Sequence, residues 1–134
     1  LIPSSETAGL SSGLMASQYT AAALASENKV LAHPASVDSI PTSADFEDFV
    51  SMGSGAALKL MQIADNVRFI LAIEFLCAAQ AAEVRGIENL GDEGKRAYRL
   101  VRKLAPRLCE DREISTDITK LADALREDTL GEPS

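Results

Sequence analysis

The side chains in this sequence best suited to chemistry are three acids that lie close together. Asp45, Glu47 and Asp48 fall within residues 32–53, a stretch rich in Pro, Ser and Thr that we call the corner. Neighbouring carboxylates can take up and release protons, because the charge on one makes ionisation of the other harder. Acids also stabilise the start of a helix, whose exposed amides favour negative charge. From the residues alone, both an acid–base role and a purely structural role are open for Glu47.

Other familiar kinds of site lack a sequence signal. Cys77 and Cys109 do not have CxxC spacing, and the chain has one histidine, His33, which we interpret as structural. We therefore expect no metal site, and two reduced thiols in a cytoplasmic protein. The G-S-G at residues 53–55 has no preceding strand, so it indicates close helix packing rather than a phosphate-binding loop.

Composition favours one all-α domain over residues 1–134. Hydrophobic residues make up 46% of the chain but aromatic residues only 4%, and Trp is absent, so small and aliphatic side chains must fill the core. The net charge of −7 argues against a nucleic-acid partner, which requires a basic surface. Glu74 and other polar residues interrupt the apolar stretches, so we expect no membrane span. The missing initiator Met suggests a piece of a larger protein.

The periodicity predicts two long helices followed by two short ones. An Ala-rich first helix over residues 14–31 ends before Pro34. The second is expected to start at Pro41, with Thr42 or Ser43 as its cap, and to continue to Arg85. Shorter helices follow over residues 95–104 and after residue 115.

The second predicted helix is too long for this chain to cover. About forty residues span roughly 60 Å, more than the width of a small domain. Its apolar residues lie on more than one side. We therefore predict self-association through residues 49–77.

Five runs of sequence resemble the carboxy-terminal half of the histidine ammonia-lyases, which belong with the phenylalanine and tyrosine ammonia-lyases. The runs are S-G-L-M-A-S-Q-Y-T-A-A-A-L-A-S-E-N-K with L-A-H-P-A-S-V-D-S-I-P-T-S-A and E-D-F-V-S-M-G, then L-A-I-E-F-L-C-A-A-Q, then L-A-P-R-L-C-E-D-R-E-I-S-T-D-I. Together they cover nearly the whole chain. The resemblance implies one part of a larger, mainly helical lyase.

The resemblance implies an enzyme that eliminates ammonia from L-histidine to give trans-urocanate. The family's electrophile is a methylidene-imidazolone group formed from an Ala-Ser-Gly tripeptide, which does not occur in these 134 residues. The group would thus belong to an amino-terminal part, and the present chain would be inactive alone. The family works as a homotetramer whose active sites take residues from more than one subunit.

The resemblance also assigns roles to particular residues. Glu47 matches the carboxylate that histidine lyases place near the substrate, where it can accept a charge-assisted hydrogen bond. Met15 matches a position that faces the side-chain pocket, and Tyr19, one turn along, is a second candidate for its wall. For Tyr19 an ordinary core role is equally open. Asp48 is interpreted as structural.

Two departures leave the substrate open. Phe46 stands where histidine lyases commonly carry Gln, and Phe49 where they carry His. If Phe46 faces the substrate, the pocket is more apolar and would suit tyrosine or phenylalanine, in a lyase or an aminomutase. A helical assembly module without catalytic activity is the alternative from another functional class.

Overall fold

The computed structural model describes residues 9–127, and these form four α-helices joined by turns. The helices are α1 (Met15–Leu31), α2 (Gly53–Arg85), α3 (Asp92–Leu104) and α4 (Ser115–Arg126). The corner between α1 and α2 contains one isolated antiparallel β-bridge, between Thr42 and Glu47. The all-α prediction, with two long helices and two short ones, is confirmed. Most of the irregular start and the tail lies outside the described residues.

Helix α2 contacts each of the other three helices of the described residues, and α1 runs antiparallel to it. The 33 residues of α2 span roughly 50 Å. Along its length, the Lys59 ammonium donates to the carbonyl of His33, and Asn66 Nδ2 donates to Asn28 Oδ1 at 2.9 Å. Gly86, with a φ of 95°, ends α2 in a conformation that a side chain disfavours.

The core lies at the carboxy-terminal half of α2. In α4, Ile118, Leu121 and Ala122 are buried as their i, i+3, i+4 spacing predicts, and Leu121 is 0% exposed. Residues 105–114, which we call the strap, connect α3 to α4 and pass over the same core. The buried apolar residues that meet there are Leu14, Ala72, Ile73, Leu76, Ala79, Val101, Ala105, Leu108, Ile118, Leu121 and Ala122.

The predicted start of α2 is wrong by about ten residues. Helix α2 begins at Gly53, so Asp45, Glu47 and Asp48 do not lie in its first turn. The backbone just before Gly53 makes hydrogen bonds to a side chain instead of helical ones. Val50 N donates to Ser39 Oγ at 2.8 Å, and the Ser39 hydroxyl donates to Val50 O at 3.2 Å. Such local side-chain bonds offer the backbone an alternative to the helix.

Large apolar side chains remain exposed on the amino-terminal half of α2. Leu58, Leu60 and Met61 are each about two-thirds exposed, with Leu60 at 64%. Surface apolar patches of this kind mark interaction sites in monomeric proteins. This half of α2 therefore resembles an interface rather than a solvated helix.

Candidate functional site

Glu47 lies on a short turn of the corner. Thr42 N donates to Glu47 O at 2.8 Å, and Glu47 N donates to Thr42 O at 3.2 Å, which closes a loop of four residues. The Thr42 hydroxyl also donates to Glu47 Oε2 at 3.3 Å. The side chain of Glu47 is exposed. The turn therefore presents a carboxylate that can accept hydrogen bonds from a cationic or N–H group.

The loop that Thr42 and Glu47 close has an unusual backbone. Ser43, Ala44 and Asp45 have φ values of 54°, 53° and 66°. Residues other than glycine disfavour this left-handed region, because Cβ comes too close to the backbone carbonyl. Phe46 follows and is 91% exposed. Backbone strain thus lies directly before the two residues, Phe46 and Glu47, that the sequence nominates for the site.

Phe49 borders a groove between the corner and the start of α2. The groove has a volume of about 400 Å³. Its apolar lining includes Val37, Met52 and Ala56, and Asp38 contributes a carboxylate. Phe46 and Glu47 do not line it.

A larger groove of about 660 Å³ lies at the amino terminus of α1. Met15 and Gln18 line it from α1, and Cys77 lines it from α2. Burial raises the pKa of the Cys77 thiol, which keeps it neutral and a weak nucleophile. Met15 is 51% exposed and Tyr19 is 67% exposed, so neither is a core residue of this chain.

Met15 and Glu47 lie at opposite ends of α1. Met15 is its first residue, whereas the corner follows its last. The antiparallel pairing puts the corner beside the start of α2, and the Met15 groove reaches Cys77 near its far end. The 17 residues of α1 separate the two ends by about 25 Å. One copy of this chain therefore does not bring together the residues that the sequence nominates.

The strap approaches the Met15 groove through an acid that sequence reasoning missed. Ser12 N donates to Asp111 Oδ2 at 2.7 Å, and Gly13 N donates to Asp111 Oδ1 at 2.9 Å. Since Ser12 also lines the groove, Asp111 binds the backbone that forms one of its walls. Asp111 is exposed and about a hundred residues from its partners in sequence, so no local pattern points to it.

Polar side chains are also buried between α2, α3 and the strap. Gln80 Nε2 donates to Leu108 O at 2.9 Å, and Leu108 N donates to Gln80 Oε1 at 3.1 Å. Glu83 accepts from the Tyr98 hydroxyl at 2.9 Å and from Arg102 Nε at 2.7 Å. The sequence signal was available, because Gln80 and Glu83 are polar residues in an otherwise apolar part of α2.

The surroundings of this cluster shift the pKa of one member, Tyr98. Burial, followed by the neighbouring Glu83 carboxylate, raises the pKa of Tyr98. Glu83 Oε2 lies 3.4 Å from Arg107 Nε, an ion pair that lacks the geometry of a hydrogen bond. The cluster fixes three segments to one another and does not line the Met15 groove.

The described residues, 9–127, contain no cluster suited to a metal ion and no membrane-spanning helix. In that range no three His, Cys, Asp or Glu side chains are arranged to hold a metal ion. None of the helices there is both long and apolar enough to cross a bilayer.

Comparison with known proteins gives the chain its family. The family model described as aromatic amino acid lyase matches residues 2–103. The chain belongs to the aromatic amino acid lyase family. It is 52% identical over 122 residues to the histidine ammonia-lyase of Natranaerobius thermophilus, and this match covers 91% of the chain and 24% of that protein. The chain thus spans about a quarter of the length of the curated lyases it matches.

Solved structures of the aromatic amino acid lyase family share the fold. Histidine ammonia-lyase from Trypanosoma cruzi is 45% identical with a TM-score of 0.86, over 91% of this chain and 24% of that one. Tyrosine aminomutase from Streptomyces globisporus is 41% identical with a TM-score of 0.87, over 91% of this chain and 23% of that one. The expected relation to helical lyases is confirmed, and both substrate types occur among the similar structures.

The residues present do not fit the site where the family's methylidene-imidazolone forms. The resemblance implies that this group forms from an Ala-Ser-Gly tripeptide, and no Ala-Ser-Gly occurs in the 134 residues. The nearest sequences are S-S-G at residues 11–13 and G-S-G at residues 53–55.

Proposed function

We propose that this chain is the carboxy-terminal part of an ammonia-lyase that eliminates ammonia from L-histidine to give trans-urocanate. The observation that carries the proposal is the 52% identity to a histidine ammonia-lyase over 91% of the chain. The resemblance to histidine-lyase motifs assigns Glu47 to a carboxylate position near the substrate and Met15 to a methionine position of the side-chain pocket. The domain comprises residues 1–134, and the free thiols of Cys77 and Cys109 suit a reducing cytoplasm.

Glu47 has the catalytic role in this proposal. Its carboxylate is exposed on the corner, with the Thr42 hydroxyl 3.3 Å from Oε2. A substrate imidazole or ammonium group would donate to it, and the opposite charge would strengthen that hydrogen bond. Closure of the site by other segments would remove water and further strengthen the interaction.

Met15, Tyr19 and Phe46 are the proposed substrate-binding residues. All three side chains are exposed here, so each is available to contact a substrate or another segment. Phe46 favours one second candidate substrate class, because an aromatic side chain at the site suits tyrosine or phenylalanine. The likeness to a tyrosine aminomutase supports keeping this alternative.

The proposed enzyme is a homotetramer whose sites combine residues from more than one copy. Two observations support this: Met15 and Glu47 lie at opposite ends of α1, and the first half of α2 exposes Leu58, Leu60 and Met61. Burial of such side chains contributes about 25 cal/mol per Å² of apolar surface. Residues from other segments would supply the methylidene-imidazolone and most substrate contacts.

The decisive experiment uses the complete enzyme that contains this chain. Release of urocanate from histidine is followed by absorbance, with tyrosine and phenylalanine assayed in parallel. Glu47→Gln keeps the shape but removes the charge, and should lower kcat/KM for histidine by about a hundredfold. Asp48→Asn, a neighbouring exposed acid with an assigned structural role, is the matched control.

The results separate the candidates. Unchanged histidine turnover in Glu47→Gln would remove the role proposed for that residue. Turnover of tyrosine or phenylalanine alone would move the assignment to the aromatic lyases or aminomutases. Ammonia release from none of the three amino acids would favour an assembly module without catalytic activity.

Self-association is tested on the 134-residue chain itself. Sedimentation at micromolar concentration should give a mass above that of one copy. Replacing Leu60 and Met61 together by Gln should shift the distribution toward monomer, because both are exposed on the first half of α2. Replacing Val84, which is equally exposed near the other end of α2, is the control. A monomeric mass for the unmodified chain would contradict the proposed interface.

A further inference from the structure

Helix α1 has no cap of its own. The residue before it, Leu14, makes no side-chain capping hydrogen bond, and its first turn contains no acid. Amides at a helix start need acceptors, and they favour a negative charge. Asp111 of the strap instead binds the turn that leads into α1, accepting from Ser12 N at 2.7 Å and from Gly13 N at 2.9 Å, two amides that lie before the first helical residue.

The strap is held firmly enough to place Asp111. The side-chain amide of Gln80, which is buried on α2, both donates to and accepts from the backbone of Leu108. Arg112, next to Asp111, donates to Asp117 Oδ2 of α4 at 2.6 Å and to Pro106 O at 3.2 Å. The strap is therefore held on both sides of Asp111, at Leu108 and at Arg112.

The residues that Asp111 binds border the Met15 groove. Ser12 lines that groove together with Met15, and Gly13 connects Ser12 to α1. The φ of Gly13 is 57°, so the chain turns sharply here and depends on its hydrogen bonds to keep its course. A shift of this turn would change the shape of the groove and the direction of Met15.

We infer that Asp111 is a positioning residue of the lyase, which holds the 12–13 turn and thereby sets the Met15 wall of the substrate pocket. The substrate-facing half of this inference rests on the proposed function. The turn-holding half, which concerns Ser12 and Gly13, rests on the two short hydrogen bonds alone. Asp111 acts through the backbone of Ser12 and Gly13 and does not itself contact substrate.

The turn-holding half is tested on the 134-residue chain by hydrogen exchange measured with NMR. Asn has one acceptor oxygen and no charge, so Asp111→Asn cannot reproduce both bonds. Amide exchange at Ser12 and Gly13 should become about tenfold faster. Glu110→Gln, which removes a charge from the adjacent exposed position, should leave both rates unchanged. Unchanged rates in Asp111→Asn would overturn the inference.

The substrate-facing half is tested in the complete enzyme by steady-state kinetics. Asp111→Asn should raise KM for the amino acid about threefold to tenfold and leave kcat within about twofold, because the pocket wall contributes to binding. A contact that only stabilises the fold would instead lower the amount of active enzyme at unchanged KM, and that result would overturn the positioning role. Faster exchange in the chain, with no ammonia release from the unmodified enzyme, would contradict the proposed function and leave the turn-holding role intact.

Discussion

The two halves of α2 differ in how completely this chain covers them. Near its carboxyl end, which we call the closed end, Ala72, Ile73 and Leu76 are buried under α4, α3 and the strap. At residues 53–67, the open end, α1 and the corner cover one side, and Leu58 and Leu60 remain exposed. The chain thus buries large apolar side chains of α2 at the closed end and leaves several of them exposed at the open end.

The same contrast holds for charged groups. At the closed end Glu83 is buried and bonded to both Tyr98 and Arg102, which join α2 to α3. At the open end Asp65 pairs with Arg68 and Arg126 near the surface, and the hydrogen bond from Arg68 holds the pKa of Asp65 below its usual range. Buried pairs cost much to break, whereas exposed pairs contribute little. The closed end should therefore determine the stability of the isolated chain.

The largest expected difference between the ends concerns apolar truncation. Leu121→Ala at the closed end should lower the free energy of unfolding by about 3–5 kcal/mol, because the side chain is fully buried. Leu60→Ala, the same truncation at the open end, should change it by less than about 0.5 kcal/mol in dilute protein. Urea unfolding below the association range measures both. Equal losses would contradict the contrast.

Truncating the buried charge cluster should give the next largest effect. Glu83→Gln would leave Arg102 partly buried without its charged partner and should cost about 2–4 kcal/mol in urea unfolding. Asp65→Asn, at the exposed pair, is the matched control and should lower the midpoint near neutral pH much less than Glu83→Gln does, because exposed pairs contribute little. A larger shift for Asp65→Asn than for Glu83→Gln would reverse the proposed order of the two ends.

Local sequence patterns predicted most of the helices, because their signals are local. The i, i+3, i+4 spacing of Ile118, Leu121 and Ala122 is sufficient to predict α4. The start of α2 was missed because a side chain eleven residues away, Ser39, binds the backbone of Val50. The bond from the 12–13 turn to Asp111 is missed for the same kind of reason, since it joins residues that are distant in sequence.

The candidate site shows a sharper limit. The resemblance to lyases nominated Glu47 and Met15 as residues of one site. Their separation along α1 follows from the antiparallel packing of α1 on α2, which no single-residue pattern encodes. The resemblance therefore identified the residues but not the distance between them.

An effect of about 1 kcal/mol is expected at Tyr98. Tyr98→Phe removes its hydrogen bond to Glu83 and should lower the free energy of unfolding by about that amount at neutral pH. Because the pKa of Tyr98 is raised above its usual 10.0, the folded chain holds this proton more tightly than the unfolded chain does. Stability should therefore fall as pH rises above about 10 through the folded pKa.

The control for Tyr98 is the exposed tyrosine of α1. Tyr19→Phe should leave the free energy of unfolding within about 0.5 kcal/mol of the unmodified chain. Urea midpoints between pH 7 and about pH 11 test both variants, with the alkaline loss from this residue expected to vanish only in Tyr98→Phe. An identical alkaline slope in the unmodified chain and Tyr98→Phe would contradict this explanation.

The smallest effect is expected at the corner, and there its sign is more informative than its size. Ala44 has a φ of 53°, so Ala44→Gly relieves strain that exceeds the entropy glycine loses on folding, and the free energy of unfolding is expected to rise by up to about 1 kcal/mol. Ala57→Gly, at an exposed helical position of α2, should instead cost about 0.5–1 kcal/mol. The same exchange of residues thus has opposite signs at sites thirteen positions apart. Destabilisation by both would mean that the corner does not hold its left-handed turn before the open end is covered, and that Glu47 is placed only on assembly.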